Sequence, residues 1–294
     1  MINFLSNLIT GIRLGSVYGV IALGYTMVYG IAKMLNFAHG DIIMIGAYVA
    51  FFALTKFGMP IYVALIISIA ICVLLGVSVE RLAYKPLRNA SSLSVLITAI
   101  GVSYFLENGA QILWSSSSKI FPTIMSNASL KLFDDKLSIS YITIITILVC
   151  VVIISLLTLF INKTKTGMAM RACSEDKDAA RLMGISVDKT ITITFAIGSG
   201  LAAIAAILFC LTYQTVNPTM GSMPGIKAFT AAVFGGIGSI PGAFIGGIIL
   251  GIIEILSMTY ISSQLSDAIV FAILIVILLI KPTGLFGKKK NEKV

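Results

Sequence analysis

Ile139-Ser-Tyr-Ile-Thr-Ile-Ile-Thr-Ile-Leu-Val-Cys-Val-Val-Ile-Ile-Ser-Leu-Leu-Thr-Leu-Phe-Ile161 runs for 23 residues without a charged side chain. As a helix it would be about 34 Å long, a little more than the roughly 30 Å hydrocarbon core of a bilayer. The rest of the chain has the same character. Of its 294 residues, 58% are hydrophobic, 26 are glycine and only 11% are charged, against about 25% charged in soluble domains. So few charges cannot cover the surface of a water-soluble domain of this size. The composition predicts an all-α polytopic integral membrane protein.

Further apolar runs fall at about 14–32, 42–56, 61–79, 93–114, 190–213, 226–236, 242–258 and 267–281. They predict 8 to 9 transmembrane helices in one domain over 1–294, with no sizeable soluble part. The first positive residue is Arg13, and neither a basic leader nor a small-residue cleavage site precedes the apolar run, so residues 8–30 read as a retained span. Cys72, Cys150, Cys173 and Cys210 are scattered and form no C-x-x-C pair, which indicates neither a disulfide framework nor zinc.

The net charge of +9 would suggest nucleic acid in a soluble protein. Here it reads as topology, because cytoplasmic loops accumulate Lys and Arg. If the loops 80–92 and 162–189 and the tail 281–294 are cytoplasmic, they and Lys33 hold 15 of the 21 cations. That orientation puts the C-terminus inside, the N-terminus outside and the loop 115–138 outside. Parity then requires the stretch 226–258 to start and end outside. It is expected to be a discontinuous or re-entrant pair of short half-spans turning at Gly235-Gly-Ile-Gly-Ser-Ile-Pro-Gly242. Irregular backbone at that depth is tolerated where it is buried in protein or lines a wet cavity. Gly235, Gly236 and Gly238 are therefore candidates for a translocation path. Gly11, Gly15 and Gly19 recur at intervals of four, as do Gly242 and Gly246, then Gly247 and Gly251. Such spacing lets helices approach closely, within one subunit, at a subunit interface or at a moving joint.

The long loop 162–189 carries a short helix signal. Ser174 has the chemistry of an N-cap, Glu175 and Asp176 are first-turn carboxylates, Arg181 suits the C-terminal end of the dipole, and Gly184 suits a left-handed stop. A helix over Glu175–Met183 follows, with Ala179, Leu182 and Met183 as its small apolar face. A helix so short is marginal alone in water and must dock, either on its own membrane domain or on a cytoplasmic partner.

Asn36-Phe-Ala-His-Gly-Asp41 lies between two apolar runs and contains the only histidine. A metal would need more ligands nearby than the sequence offers, so no metal site is expected. A helix start at Asp41 accounts for the pattern, and polar groups such as Asn36, His39 and Asp41 near the membrane interior also mark transport paths. Glu107, Asn108 and Gln111 sit on neighbouring turns of the fourth span, and Glu254 lies toward the outer end of its helix, with no obvious intramembrane Lys or Arg partner for either carboxylate. Each lies either near the outer interface or on a path. No phosphate-binding loop occurs, the nearest fragment being Gly184-Ile-Ser-Val-Asp-Lys-Thr190, so this chain does not hydrolyse ATP alone. Protease and potassium-filter motifs are also missing, and no catalytic residue is expected.

Gly15-Ser-Val-Tyr-Gly-Val-Ile-Ala-Leu-Gly-Tyr-Thr-Met-Val-Tyr-Gly30, leading into Asn36–Asp41, resembles the signature of the H-type permease of bacterial branched-chain amino-acid ABC importers. So do Gly167-Met-Ala-Met-Arg-Ala-Cys-Ser-Glu-Asp176, Ala180-Arg-Leu-Met-Gly-Ile185 and Ala231–Gly242. The motifs lie in order from about residue 8 to 285; Lys163-Thr-Lys-Thr-Gly167 departs from relatives, which more often carry an aromatic or arginine near that glycine. The resemblance implies a multi-pass subunit of the bacterial cytoplasmic (inner) membrane. Its implied partners are a second related permease, two cytoplasmic ATPase subunits and an external substrate-binding protein. It implies no cofactor on this chain, ATP being used by the partners, and no nucleic acid. It also implies that Arg171, Glu175, Asp176, Ala180, Arg181, Leu182 and Gly184 form the ATPase-coupling segment. The expected cargo is leucine, isoleucine and valine. Urea, short amides or another amino acid remain open, as does a stand-alone ion-coupled carrier using Glu107 and Glu254.

Overall fold

The computed structural model describes residues 2–88, 90–123, 129–132 and 137–287. The helices are α1 (Ile2–Ala32), α2 (His39–Thr55), α3 (Ile61–Val79), α4 (Ser92–Trp114), α5 (Tyr141–Lys163), α6 (Lys165–Glu175), α7 (Lys177–Leu182), α8 (Val187–Tyr213), α9 (Ser222–Gly235), α10 (Ile240–Tyr260) and α11 (Ser266–Ile280). A π-helical turn over Glu80–Tyr84 and a 3-10 turn over Lys85–Leu87 extend α3. Among the described residues six helices are long and apolar enough to cross a membrane: α1, α3 with its extension, α4, α5, α8 and α10. Helices α2 and α11 are apolar but shorter, and α9 has 14 residues.

Tyr141–Lys163 is helical although Ile, Val and Thr dominate it. In water such residues favour strands. In lipid every backbone polar group must find its partner within the segment, and the helix wins. The ends obey local chemistry. Ser91 caps α4 by accepting from Ser94 N at 3.2 Å, Thr164 caps α6 by accepting from Gly167 N at 3.0 Å, and Ser239 caps α10 by accepting from Gly242 N at 3.2 Å.

The chain divides into two compact units, one of residues 1–26, 127–154 and 227–294, the other of 27–126 and 155–226. In the first, α1 and α10 touch through their glycines. A Cβ on Gly15 would lie 2.6 Å from Gly247 O, and one on Gly251 would lie 2.2 Å from Gly15 N. Of the readings open for this spacing, packing inside one subunit is the one seen for these glycines. Strands β2 (Ser129–Leu132) and β3 (Leu137–Ser140) form a hairpin before α5.

The turn between α9 and α10 differs from the expected meeting of two half-spans, because α10 alone has 21 residues and reaches spanning length. Leu285 N donates to Phe234 O at 2.9 Å and Phe286 N to Gly235 O at 3.0 Å. The residues after α11 therefore sit on this turn, and the turn lies at the end of the unit where the last helix stops. Gly236 and Gly238 adopt φ of +101° and +94°, which explains glycine there.

In the second unit α2, α3 and α8 form the core. Ser68 Oγ donates to Gly46 O at 2.9 Å, and Cβ on Gly46 would meet Cys72 Sγ at 3.0 Å and Ala203 Cα at 3.2 Å. Tyr48 stacks on Trp114 with centroids 4.4 Å apart, so the C-terminal ends of α2 and α4 lie together. Strand β1 (Lys119–Ile120), after α4, pairs with β4 (Thr215–Val216), after α8, at that same end.

Candidate functional site

The opposite end of the second unit gathers its charges. Glu80, fully buried in the π-helical turn, is bonded by Arg88, which also bonds Asp188 in the first turn of α8. Thr192 Oγ1 donates to the other Glu80 oxygen at 2.9 Å, and Lys85 lies 3.5 Å from Asp188. A cavity of about 660 Å³ opens beside this network, lined in part by Arg81, Lys85, Asp188 and Lys189. The pairing ties the end of α3 to the start of α8. Tyr84 OH donates to buried Asn36 Oδ1 at 2.9 Å, which fixes the connector between α1 and α2 to the same network.

The segment after α5 is two helices instead of one. Glu175 ends α6, and Asp176 breaks the helix in an extended conformation. Asp176, not Ser174, is the N-cap of α7: its Oδ1 accepts from Asp178 N at 2.8 Å and Ala179 N at 3.0 Å, whereas Ser174 Oγ donates back to Arg171 O at 2.7 Å. Gly184 stops the helix at φ +82°. Ala180 is buried, Arg171 and Glu175 are exposed, and Arg181 pairs weakly with Asp178 at 3.5 Å on the surface. Leu182 and Met183 are 88% and 82% exposed. Those two large apolar side chains project from a charged helix and touch little of their own unit.

Among the path candidates, His39 and Asp41 are buried in the first turn of α2. Ser103 and the charged Glu107 lie near the Asp41 carboxylate, whose Oδ2 has no partner. Ser222 Oγ donates to Glu107 Oε1 at 3.5 Å. At this point the starts of α2 and α9 meet backbone to backbone, a Cβ on Gly40 falling 2.5 Å from Gly221 O. Asn108 lies apart from the group: it is exposed and donates to Tyr104 O at 2.7 Å on its own helix.

Glu254 belongs to the first unit, and there the expectation that it lacks a basic partner is overturned. Lys227 Nζ on α9 lies 2.8 Å from Glu254 Oε1 and 2.6 Å from Asp267 Oδ1 on α11, and Tyr18 OH adds a bond to Glu254 Oε1 at 3.3 Å. The side chains of Lys227 and Glu254 are 7% and 2% exposed, that of Asp267 42%. The partners are 27 positions apart on different helices, so no local spacing announces the pair. Gly235, Gly236 and Gly238 sit in the α9–α10 turn, where Gly235 packs on Gly242 and Gly238 faces open space. Among the described residues no three His, Cys, Asp or Glu converge as metal ligands.

Buried ionisable groups among interrupted apolar helices, together with a cation-rich end bearing a small bare helix, are the marks of a membrane transport subunit. Residues 7–278 match the model of the branched-chain amino acid transport system permease component, and the chain belongs to that family; it is a permease and not an enzyme. It is 43% identical to the high-affinity branched-chain amino acid transport system permease protein BraD of Pseudomonas aeruginosa, over 99% of this chain and 98% of that one. It is 44% identical to the corresponding LivH of Escherichia coli, over 99% and 98% of the two chains. The solved PsaBC of Streptococcus pneumoniae in complex with Fab aligns with 95% of this chain and 92% of its own at 16% identity and a TM-score of 0.48.

Proposed function

We propose that the chain is the transmembrane subunit of an ATP-driven importer that carries leucine, isoleucine and valine across the bacterial inner membrane. The observation that carries this reading is α7, a short capped helix with exposed Leu182 and Met183 at the cation-rich end of its unit. Such a helix suits a cleft on a cytoplasmic ATPase. Identity of 43% and 44% to BraD and LivH supports the cargo. Two ATPase subunits, a second related permease and an external binding protein complete the importer, because this chain has neither a phosphate-binding loop nor a soluble domain.

The loop 162–189 is then the cytoplasmic coupling loop, and 115–138 faces outward. Nine crossings follow, α1 to α5 and α8 to α11, the short α2 and α9 being completed by the non-helical residues before them. The N-terminus lies outside and the C-terminus inside. Asp41 and Glu107 form the polar point of the path, two carboxylates suited to the ammonium of an amino acid in transit, and the Gly40–Gly221 contact closes it. In the reconstituted importer Asp41→Asn should cut leucine uptake at least about ten-fold while the subunits still co-purify. Uptake at the wild-type rate would remove Asp41 from the path.

A further inference from the structure

Helix α7 has an inner side as well as an outer one. Lys177, its first residue, is half-buried and Ala180 is buried, while Asp178, Ala179, Arg181 and Leu182 are exposed. Lys177 Nζ donates to Ala32 O at 2.6 Å, across 145 positions of sequence. Ala32 is the last residue of α1, and Lys33 behind it turns left-handed at φ +58°. The carbonyls of a last helical turn have no intrahelical partner and carry the negative end of the helix dipole, so a cation seated there is bonded and attracted at once. Burial, and then the nearby Arg88 guanidinium, hold the lysine below the ordinary lysine pKa.

Beyond Ala32 the chain runs through residues 33–38, where Asn36 is held by Tyr84, to the first turn of α2 with His39 and Asp41. Helices α6 and α8 adjoin α7 in the chain, across the break at Asp176 and the stop at Gly184. Helix α1 is remote in sequence, and Lys177 reaches it.

We propose that Lys177 is the positioning residue that carries the movement of α7 into the end of α1 and, through residues 33–38, to the start of α2 at Asp41. This rests on the reading of α7 as the ATPase-docking helix. It adds a route from the docked helix to the polar point of the path, which the exposed residues of α7 cannot supply.

The test uses the full importer in liposomes, with ATP hydrolysis and leucine uptake read with and without loaded binding protein. Lys177→Gln removes the cation and shortens the side chain, Lys177→Arg keeps a cation, and exposed Lys56→Gln, just beyond the far end of α2 and outside the docking segment, serves as a control. The expected result is that Lys177→Gln assembles and keeps basal hydrolysis within about two-fold, while stimulation by binding protein and uptake fall about ten-fold or more, as for loss of a charge-assisted bond. Lys177→Arg should restore at least half of the loss, and Lys56→Gln should behave as wild type. Unchanged stimulation and uptake in Lys177→Gln overturns the link. So does failure of Lys177→Gln to hold the ATPases when Lys56→Gln holds them, since Lys177 would then be a docking residue. Leu182→Asp tests the underlying reading separately: a complex that assembles and transports as wild type with that change refutes the docking helix itself, whatever Lys177 does.

Discussion

Glu254 shows what burial demands of a single charge. Its carboxylate is almost fully buried on an apolar helix and keeps its position because Lys227 and Tyr18 bond Oε1. Removing one partner of a buried ion pair strands the other, at a cost of about 3–5 kcal/mol, whereas replacing both with apolar groups can be neutral or stabilising. Lys227→Met should therefore lower the thermal stability of the purified protein markedly, and Lys227→Met with Glu254→Leu should recover most of the loss. Asp267, nearly half exposed, can turn to water in the double variant. Thermal unfolding in detergent measures both; a double variant no more stable than the single one would show that the pair contributes no coupling. The sequence displays both residues as isolated ionisable groups and hides their meeting. Asp41 and Glu107 stand out as candidates, one between two apolar runs and the other inside one, but their shared neighbourhood depends on α2 and α4 lying side by side.

At the scale of elements, helix-contact glycines translate directly from spacing into packing. A Cβ on Gly15 meets the Gly247 carbonyl and Ile248 Cα, which are backbone atoms and cannot rotate aside. Gly15→Val should force α1 and α10 apart, costing about 1–3 kcal/mol or more, read as a lower unfolding temperature; Gly109→Ala, where a Cβ meets nothing within 4 Å, should be nearly neutral. Gly184 is a second readable case, since its φ of +82° matches the stop that the sequence calls for. Gly184→Pro or Arg181→Glu in the importer should depress binding-protein-stimulated ATP hydrolysis and uptake, and full activity of both would remove this segment from coupling. The start of α7 is less readable. Ser174 and Asp176 both satisfy the cap pattern, and the choice depends on α6, which reaches Glu175 and makes Ser174 a helical residue. A polar run with one buried stripe gives a weak apolar signal, so α6 goes unnoticed beside the long spans.

For the whole molecule, the membrane class and most apolar helices follow from run lengths, because a bilayer imposes a length that the chain must meet. The depth of the α9–α10 turn does not follow. Parity requires an even number of crossings in 226–258 but is silent on where the chain turns, and the hydrogen bonds from Leu285 and Phe286 set the turn beside the end of α11. The proposed importer takes its energy and its first contact with cargo from partner subunits. The most direct measurement is leucine uptake into proteoliposomes, comparing this chain alone under an ion gradient with the chain assembled with its second permease, ATPases and binding protein. The account predicts uptake only in the assembled importer and only with ATP; gradient-driven uptake by the isolated chain would contradict it.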